Sequence, residues 1–317
     1  MQREIPIFFT IDDGYTPFLA VALNSAVRHI DPARSYRAIV LHQGLSAENS
    51  ARLAALSTDN FAIDLRPMQA NLDALDDRRS NRMRCDQFTL TIFFRLFIPA
   101  MFPEYDKAIY VDSDVVFTED AAKLFDTDIG NALIGACRDL SIADNPPLVA
   151  YTENAVGVHK EEYVNSGVLL MNLKALRDAK LEERFLDLLS TYHFDSVAPD
   201  QDYLNAMCRG RIFYLDPAWD AMPNPSRPPL AKTNLIHYNL FSKPWHYDDI
   251  QYGEYFWHYA ADCGYLDELR AHRAAYTAEM QAADRDCLAR LVERCNEIAA
   301  SEVTFRSLAE KGVKIRL

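Results

Sequence analysis

Short apolar runs alternate with helix-like segments along the first third of the chain, and this alternation restricts the fold more than any other feature. Residues 18–27 predict a helix, with Thr16 as its cap and Pro17 in its first turn. Strands separated by helices form a mostly parallel sheet that is covered on both faces. Apolar and β-branched runs predict strands at residues 5–11, 38–42, 61–65, 107–117, 133–136, 168–171, 212–215 and 235–238.

Two polar segments and a change of pattern near residue 250 divide the chain further. Residues 68–86 and 141–159 predict irregular loops, and long loops of this kind often act as lids. After residue 250, apolar residues spaced three and four apart predict helices at 266–280, 284–298 and 302–309. We therefore expect an α/β domain at residues 1–249 and a small helical extension at residues 250–317.

Charge, cysteine spacing and hydropathy exclude several classes of protein. The 317 residues carry a formal net charge of −13, from 33 Lys and Arg against 46 Asp and Glu, which argues against a nucleic-acid partner. No apolar run approaches 18 residues and no signal peptide is evident, so we expect a cytoplasmic protein with at most peripheral membrane association. The six cysteines lack paired spacing and predict reduced thiols, not a disulfide framework or a zinc site.

Two carboxylates interrupt the apolar strand predicted at residues 107–117. Asp112 and Asp114 are two residues apart, so their side chains would lie on the same side of a strand. Two such charges about 4 Å apart repel by roughly 4 kcal/mol at an effective dielectric constant near 20. A divalent cation between them removes this repulsion, and oxygen ligands suit manganese or magnesium. An isolated D-x-D pattern also occurs by chance on protein surfaces.

Polar residues elsewhere have both a structural and a functional interpretation. His237 follows an apolar strand and is either a hydrogen-bonding core residue or a third metal ligand, with Lys243 then near a phosphate. Gly167, in the segment NSG before another strand, allows either a bulge or a close approach of backbone to ligand. Asp200 opens a predicted helix as its cap, and it is also suited to contact sugar hydroxyls.

Taken together, these segments resemble glycosyltransferase family 8, which includes bacterial lipopolysaccharide galactosyl- and glucosyltransferases. The match lies in order across roughly residues 5–248, in the segments FTIDDGY (9–15), YVDSD (110–114), NSGVLLMNL (165–173), DQD (200–202) and HYNLFSKPWH (237–246). The resemblance implies a Rossmann-like fold of glycosyltransferase A type and transfer of a hexose from a UDP-sugar with retention of configuration. The acceptor would be a glycan or a glycolipid.

The resemblance also implies roles for individual residues. Asp112, Asp114 and His237 would bind manganese, with magnesium as the alternative. Asp12 and Tyr15 would hold the uracil, and Ser113 and Lys243 would contact the nucleotide. The donor sugar would be lined by five residues, of which three would form the catalytic group (Gln201, Asp200 and Asp139), beside Arg95 and Asn165. Gly14 stands where the family often has asparagine, so one nucleotide contact is expected to be lost or supplied by backbone.

Three other classes compete with this interpretation. A haloacid-dehalogenase-type phosphatase would use Asp112 and Asp114 as nucleophile and acid/base, but that motif belongs on the first strand. A non-catalytic module would bind a nucleotide sugar without cleaving it. A nicotinamide- or methyl-donor enzyme would need a G-x-G-x-x-G segment after the first strand, which this chain lacks.

Overall fold

The computed structural model describes residues 4–68 and 90–317 and contains a mostly parallel seven-stranded sheet in the order β3-β2-β1-β4-β7-β6-β8. Neighbouring strands are parallel except along β7, which is antiparallel to both β4 and β6. A separate two-stranded sheet pairs β5 with β9. The strands are β1 (Ile5–Ile11), β2 (Tyr36–His42), β3 (Phe61–Pro67), β4 (Ala108–Val111), β5 (Val115–Phe117), β6 (Ile134–Arg138), β7 (Val164–Met171), β8 (Ile212–Tyr214) and β9 (Leu235–His237).

Helices cover both faces of the sheet, because its central strands are buried on both sides and read as continuous apolar runs. Three further turns of 3-10 helix lie at Asp13–Tyr15, Leu90–Phe93 and Pro217–Asp220. The α-helices are α1 (Thr16–Val27), α2 (Ala47–Ala54), α3 (Phe94–Met101), α4 (Ala121–Phe125), α5 (Leu140–Ala143), α6 (Pro146–Tyr151), α7 (Leu173–Asp178), α8 (Leu181–Tyr192), α9 (Pro199–Cys208), α10 (Gly253–Ala260), α11 (Leu266–Ala275), α12 (Ala278–Ala299) and α13 (Phe305–Glu310).

Two hydrophobic cores result, one on each face of the sheet. The first core joins β1 to α1, α10 and α11, with Phe18 stacked on Trp245 at 4.4 Å. The second core joins the other face to α3, α8, α9, α12 and α13, with Phe194 stacked on Phe305 at 3.9 Å. The helices after residue 250 therefore pack on both faces of the sheet. The predicted domain boundary at residues 249 and 250 stays a prediction.

The predicted strand at residues 107–117 was wrong in one respect that matters for the site. The chain forms two strands there, β4 and β5, which belong to different sheets. Asp112, Ser113 and Asp114 form the bend between them, so the two carboxylates do not share one face of a strand. The residues on either side are equally rich in β-branched and aromatic side chains, so the polar residues between them were interpreted as part of one strand.

Other local predictions also need correction. Residues 141–159 were predicted to be irregular, but they contain α5, α6 and a π-helical turn at Thr152–Val156, because Asp139 caps α5 and Pro146 stands in the first turn of α6. Thr16 is the first residue of α1 and not its cap. The predicted helix at 266–280 ends at Ala275, and Thr277 caps α12.

Four cysteines are free and buried, as predicted: Cys137, Cys208, Cys263 and Cys295. The prediction was wrong for Cys287, which is disulfide-bonded, because chain spacing does not reveal which thiols meet in space. Cys85 and residues 69–86 of the expected lid lie outside the described residues. No helix in the described ranges is both long and apolar enough to cross a bilayer.

Candidate active site

The structure brings Asp112, Asp114 and His237 together at the carboxyl end of β4. His237 ends β9 and pairs with Val115 of β5, so the small sheet carries the imidazole to the bend that holds both carboxylates. One ligand-type atom from each of these residues lies within 4.8 Å of the other two. We call these three residues the cation cluster. Carboxylate oxygens with an imidazole nitrogen suit a divalent transition metal such as manganese.

One atom of each side chain in the cation cluster has a hydrogen-bond partner elsewhere in the chain. Asp112 Oδ1 accepts hydrogen bonds from Arg95 at 2.8 Å and from the Tyr110 hydroxyl at 2.7 Å. Asp114 Oδ2 accepts a short hydrogen bond from Lys243, and His237 Nδ1 lies 2.9 Å from Asp220 Oδ1.

The remaining atoms of the cluster face one another. His237 Nε2 lies 3.4 Å from Asp114 Oδ1 and 3.9 Å from Asp112 Oδ2. The protein partners therefore hold the outer atoms, and three atoms are left to converge on one point.

Electrostatics in the cation cluster favour positive charge. Burial lowers the pKa of His237, but the carboxylates of Asp114 and Asp220 outweigh it and raise this pKa to about 10. Burial raises the pKa of Asp114, but the neighbouring Lys243 and His237 outweigh it and hold this pKa well below its usual value. The carboxylates of Asp114 and Asp220 thus favour a positive charge at this point, which is either a proton on His237 or a bound cation.

Gly167 forms one wall of the cation cluster. A Cβ atom at this position would lie 2.3 Å from His237 Cε1 and 2.8 Å from Asp112 Oδ2, closer than real side chains approach. Its backbone carbonyl accepts a hydrogen bond from the Asp112 amide at 2.8 Å. The pairing of β7 with β6 is irregular between Val164 and Leu169, which agrees with a bulge at this glycine, and the close approach is to side chains of the cluster.

A second group of buried polar side chains, which we call the amide cluster, joins the start of β7 to α9 and the cap of α5. The Asp139 carboxylate accepts hydrogen bonds from Gln201 Nε2 at 3.0 Å and from Asn165 Nδ2 at 3.2 Å. The Gln201 Oε1 atom accepts the backbone amide of Ser166 at 3.1 Å, and the Ser166 hydroxyl donates to Asp200 at 3.0 Å. All five residues are buried.

Arg95 connects the two clusters. Its guanidinium lies 2.8 Å from Asp112 Oδ1 and 3.2 Å from Asp200 Oδ2, and it also donates to the Ser166 carbonyl. Burial opposes its charge, but Asp112 and Asp200 outweigh this and raise the pKa of Arg95 above its usual value. Asp200 lies in the first turn of α9, whose cap position is Ala198, so its interpretation as the cap was wrong.

The remaining predicted site residues lie at the carboxyl end of β1. Asp12 caps the 3-10 turn by accepting the Tyr15 amide at 3.0 Å. Burial raises the pKa of the Tyr15 phenol well above its usual value, and the carboxylates of Asp114 and Asp112 raise it further. The Ser113 hydroxyl donates to the Thr10 carbonyl at 3.2 Å, which ties the bend to this strand end.

Sequence reasoning missed three residues of the site: Tyr110, Asp220 and Ser166, the last of which was noted only as part of the segment NSG. Tyr110 lies two residues before Asp112, and alternation along β4 would have placed both on one side. Asp220 gave no signal, because it lies 17 residues from His237 and reaches it only through the folded chain.

The mostly parallel sheet, with both clusters at the edge where its parallel strands end, is that of an α/β glycosyltransferase of the A type. The family profile described as glycosyl transferase family 8 matches residues 6–249. The chain therefore belongs to glycosyltransferase family 8, and the resemblance seen in its motifs is confirmed.

Individual relatives agree with this assignment. The chain is 24% identical over 267 residues to the lipopolysaccharide 1,2-glucosyltransferase of Escherichia coli K12, covering 78% of this chain and 75% of that protein. It also resembles the solved structure of the galactosyltransferase LgtC in complex with donor and acceptor sugar analogues, with 26% identity, a TM-score of 0.69 and coverage of 81% and 95%. The bifunctional glycosyltransferase WbbM shares the fold, with 22% identity, a TM-score of 0.72 and coverage of 87% and 52%.

Proposed function

We propose that this glycosyltransferase moves a hexose, with galactose or glucose favoured, from a UDP-sugar to a glycan or lipopolysaccharide-type acceptor, and that it retains the anomeric configuration. The observation that carries the proposal is the direct connection of two clusters through Arg95. One cluster is suited to a cation beside a diphosphate. The other offers amide and carboxylate groups that suit the hydroxyls of a sugar.

We assign Asp112, Asp114 and His237 as ligands of a divalent cation, with manganese favoured and magnesium as the alternative. The convergence of one atom from each residue supports this assignment, as does the wall formed by Gly167. When bound, such an ion stabilises the negative charge that develops on a departing diphosphate. Lys243, whose ammonium group lies beside Asp114, would share that task by contacting a phosphate.

The remaining residues would bind the donor. We assign the uracil to Asp12 and Tyr15, whose ring lies 4.8 Å from Phe18 and is thereby held at the strand end. Ser113 would support the nucleotide from the bend. The donor sugar would lie against the amide cluster and Arg95, because these groups offer both donors and acceptors in one buried patch: Asp139, Asn165, Asp200 and Gln201.

Gln201 bears on how configuration would be retained. Its amide is engaged at both ends, since Nε2 donates to Asp139 and Oε1 accepts from Ser166. An amide is a poor nucleophile, and this one would have to break its contact with the Ser166 amide to attack. These contacts support attack by the acceptor from the face of the leaving group. The leaving phosphate would then take the proton of the acceptor hydroxyl, and Asp200 would orient sugar hydroxyls.

For the acceptor we propose only a chemical class. A glycan or glycolipid acceptor is supported by the name of the Escherichia coli relative, a lipopolysaccharide glucosyltransferase. We further propose a cytoplasmic location, at most peripheral to the inner face of the membrane. We also propose that residues 1–249 form the catalytic domain and that residues 250–317 are a helical extension of it.

The proposal is tested by release of UDP from a panel of UDP-sugars, measured with manganese, with magnesium and with excess chelator. We expect slow, metal-dependent release from one hexose donor, and faster release once the acceptor is added. Asp112→Asn should strongly reduce release, whereas Asp59→Asn, which changes an exposed carboxylate far along the chain, should leave it unchanged. Donor binding without release from any sugar would favour the non-catalytic module. Release that persists in chelator would remove the metal from the proposal.

A further inference from the structure

Asp220 is a buried carboxylate that no sequence motif of the site includes. Its side chain is 0% exposed, and its Oδ1 lies 2.9 Å from His237 Nδ1. Its Oδ2 is buried without a hydrogen-bond partner in the described part of the chain. Burial of a carboxylate is costly unless its charge is compensated. An apolar side chain would pack here at lower cost, so we expect the role of the Asp220 carboxylate to lie in its contact with His237.

The local fold holds Asp220 firmly behind His237. Asp220 ends the 3-10 turn Pro217–Asp220, which Asp216 caps by accepting the Ala218 amide at 2.9 Å. The next residue, Ala221, joins the end of the small sheet: its amide donates to the Leu235 carbonyl at 2.9 Å, and its carbonyl accepts the His237 amide at 3.1 Å. The backbone thereby sets the position of both partners of the hydrogen bond.

This contact decides which nitrogen of His237 faces the cation cluster. When Nδ1 carries a proton and donates it to Asp220, the lone pair of a neutral imidazole is on Nε2. Nε2 is the atom that lies 3.4 Å from Asp114 Oδ1. A carboxylate behind a metal-binding histidine commonly sets its tautomer and ring orientation in this way.

We propose that Asp220 is a positioning residue for the cation site, which holds His237 with Nε2 directed at the divalent ion. The inference rests on the proposed metal site and adds a residue behind it. Asp220 does not contact donor or acceptor, so it acts only through His237. It completes a set in which every residue of the cation cluster has an orienting partner, alongside Tyr110 for Asp112 and Lys243 for Asp114.

The test measures binding of Mn²⁺ to the full chain without any sugar nucleotide, by the loss of the electron paramagnetic resonance signal of free Mn²⁺. Asp220→Leu removes the acceptor of the Nδ1 proton and should weaken Mn²⁺ binding by about 10- to 100-fold. Asp220→Asn keeps an acceptor oxygen in place and should restore binding to within about threefold of the parent. A merely structural role would lower the unfolding midpoint in chelator but leave the Mn²⁺ affinity of the folded protein unchanged.

Asp202→Asn is the matched control, because Asp202 is also a fully buried carboxylate and its side chain accepts from hydroxyls outside the cation cluster. It should change stability without changing the Mn²⁺ affinity. A folded Asp220→Leu variant with the affinity of the parent would overturn the inference and leave the metal site standing. Absence of Mn²⁺ binding by the parent would instead overturn the metal assignment and the inference with it.

A second measurement covers the case in which Asp220→Leu does not fold. Histidine labelled with ¹⁵N reports the protonation of each ring nitrogen, and Zn²⁺ serves as a diamagnetic probe that imidazole binds. In the parent protein bound to Zn²⁺, His237 should show a protonated Nδ1 and a metal-bound Nε2. A metal-bound Nδ1, or a ring that Zn²⁺ leaves unchanged, would refute the role of Asp220.

Discussion

Two groups of carboxylates in this enzyme differ in how their charge is compensated, and also in exposure, since Asp112 and Asp114 are partly exposed whereas Asp202 is fully buried. In the cation cluster, one carboxylate oxygen of Asp112 and one of Asp114 each form an ion pair with a cationic side chain. The other oxygen of each carboxylate faces His237. In a second group, which we call the hydroxyl cluster, the Asp202 carboxylate accepts from the hydroxyls of Tyr151, Tyr163 and Ser196.

The difference teaches that burial alone does not mark a functional acid. The hydroxyls surround Asp202 and tie α6, β7 and α9 together, so that carboxylate serves the fold. In the cation cluster the protein partners leave three atoms converging on one point. Asp202 and the carboxylates of the cation cluster all lie in motifs of the family resemblance, and they differ in their hydrogen-bond donors and in exposure. Substitutions in both clusters test this distinction, which predicts an effect on cation binding in one cluster and on stability in the other.

The largest effect is expected for Asp112→Asn. This change weakens the cation site while Arg95 keeps Asp200 as a partner, so the protein should still fold. We expect UDP release from the UDP-sugar to fall by about 1,000-fold, or about 4 kcal/mol, the size of effect that a lost electrostatic stabilisation of the leaving group produces. Steady-state assays at saturating manganese provide the measurement. A loss below tenfold would mean that this carboxylate does not serve catalysis.

Asp202→Leu should affect the hydroxyl cluster and lower the stability of the protein. It leaves buried hydroxyls without their acceptor, and each unsatisfied group costs about 1–3 kcal/mol. We expect the free energy of unfolding to fall by about 3 kcal/mol, measured by urea denaturation in chelator. The Mn²⁺ affinity of the folded fraction should stay that of the parent. A large change in that affinity would show that the hydroxyl cluster also supports the cation site, and the distinction would fail.

Gly167→Ala tests the close wall of the cation cluster. The added Cβ would meet His237 and Asp112 at distances that force one of them to move. We expect Mn²⁺ binding to weaken by about 100-fold, or about 2.7 kcal/mol. Gly253→Ala is the matched control, because the nearest atom to a Cβ there is Pro244 Cβ, at 3.4 Å. Equal Mn²⁺ affinities for the two variants would contradict the arrangement described for the cluster.

Sequence patterns predicted the elements whose signal is local. β1 was predicted with its observed bounds, because it is a continuous buried apolar run ended by polar residues. The Ser46 cap of α2 is a local feature of the same kind, since capping depends on neighbours three residues away. Residues 141–159 were predicted to be irregular, although proline suits the first turn of a helix, where Pro146 lies in α6.

The candidate site was predictable only as far as the family motifs reach. The structure brings together the residues that the motifs named, and their assigned roles stay proposals. What the sequence could not reveal are contacts that arise from tertiary structure, such as that of Asp220 with His237. The split of one predicted strand into β4 and β5 belongs to the same class, because its cause is the pairing of Val115 with His237 in a second sheet.

The smallest effects are expected from one substitution made in both clusters. Tyr110→Phe removes the hydroxyl that donates to Asp112 at 2.7 Å, and Tyr163→Phe removes the one that donates to Asp202 at 2.6 Å. Each hydrogen bond to a carboxylate contributes about 1–2 kcal/mol. We expect Tyr110→Phe to weaken Mn²⁺ binding about tenfold, because Asp112 then keeps only Arg95 as its orienting side chain. Tyr163→Phe should instead lower the free energy of unfolding by about 1 kcal/mol and leave Mn²⁺ binding unchanged. If both variants changed the same quantity, the two clusters would be one network, and the identity of the donors would no longer explain why only one of them is suited to a cation.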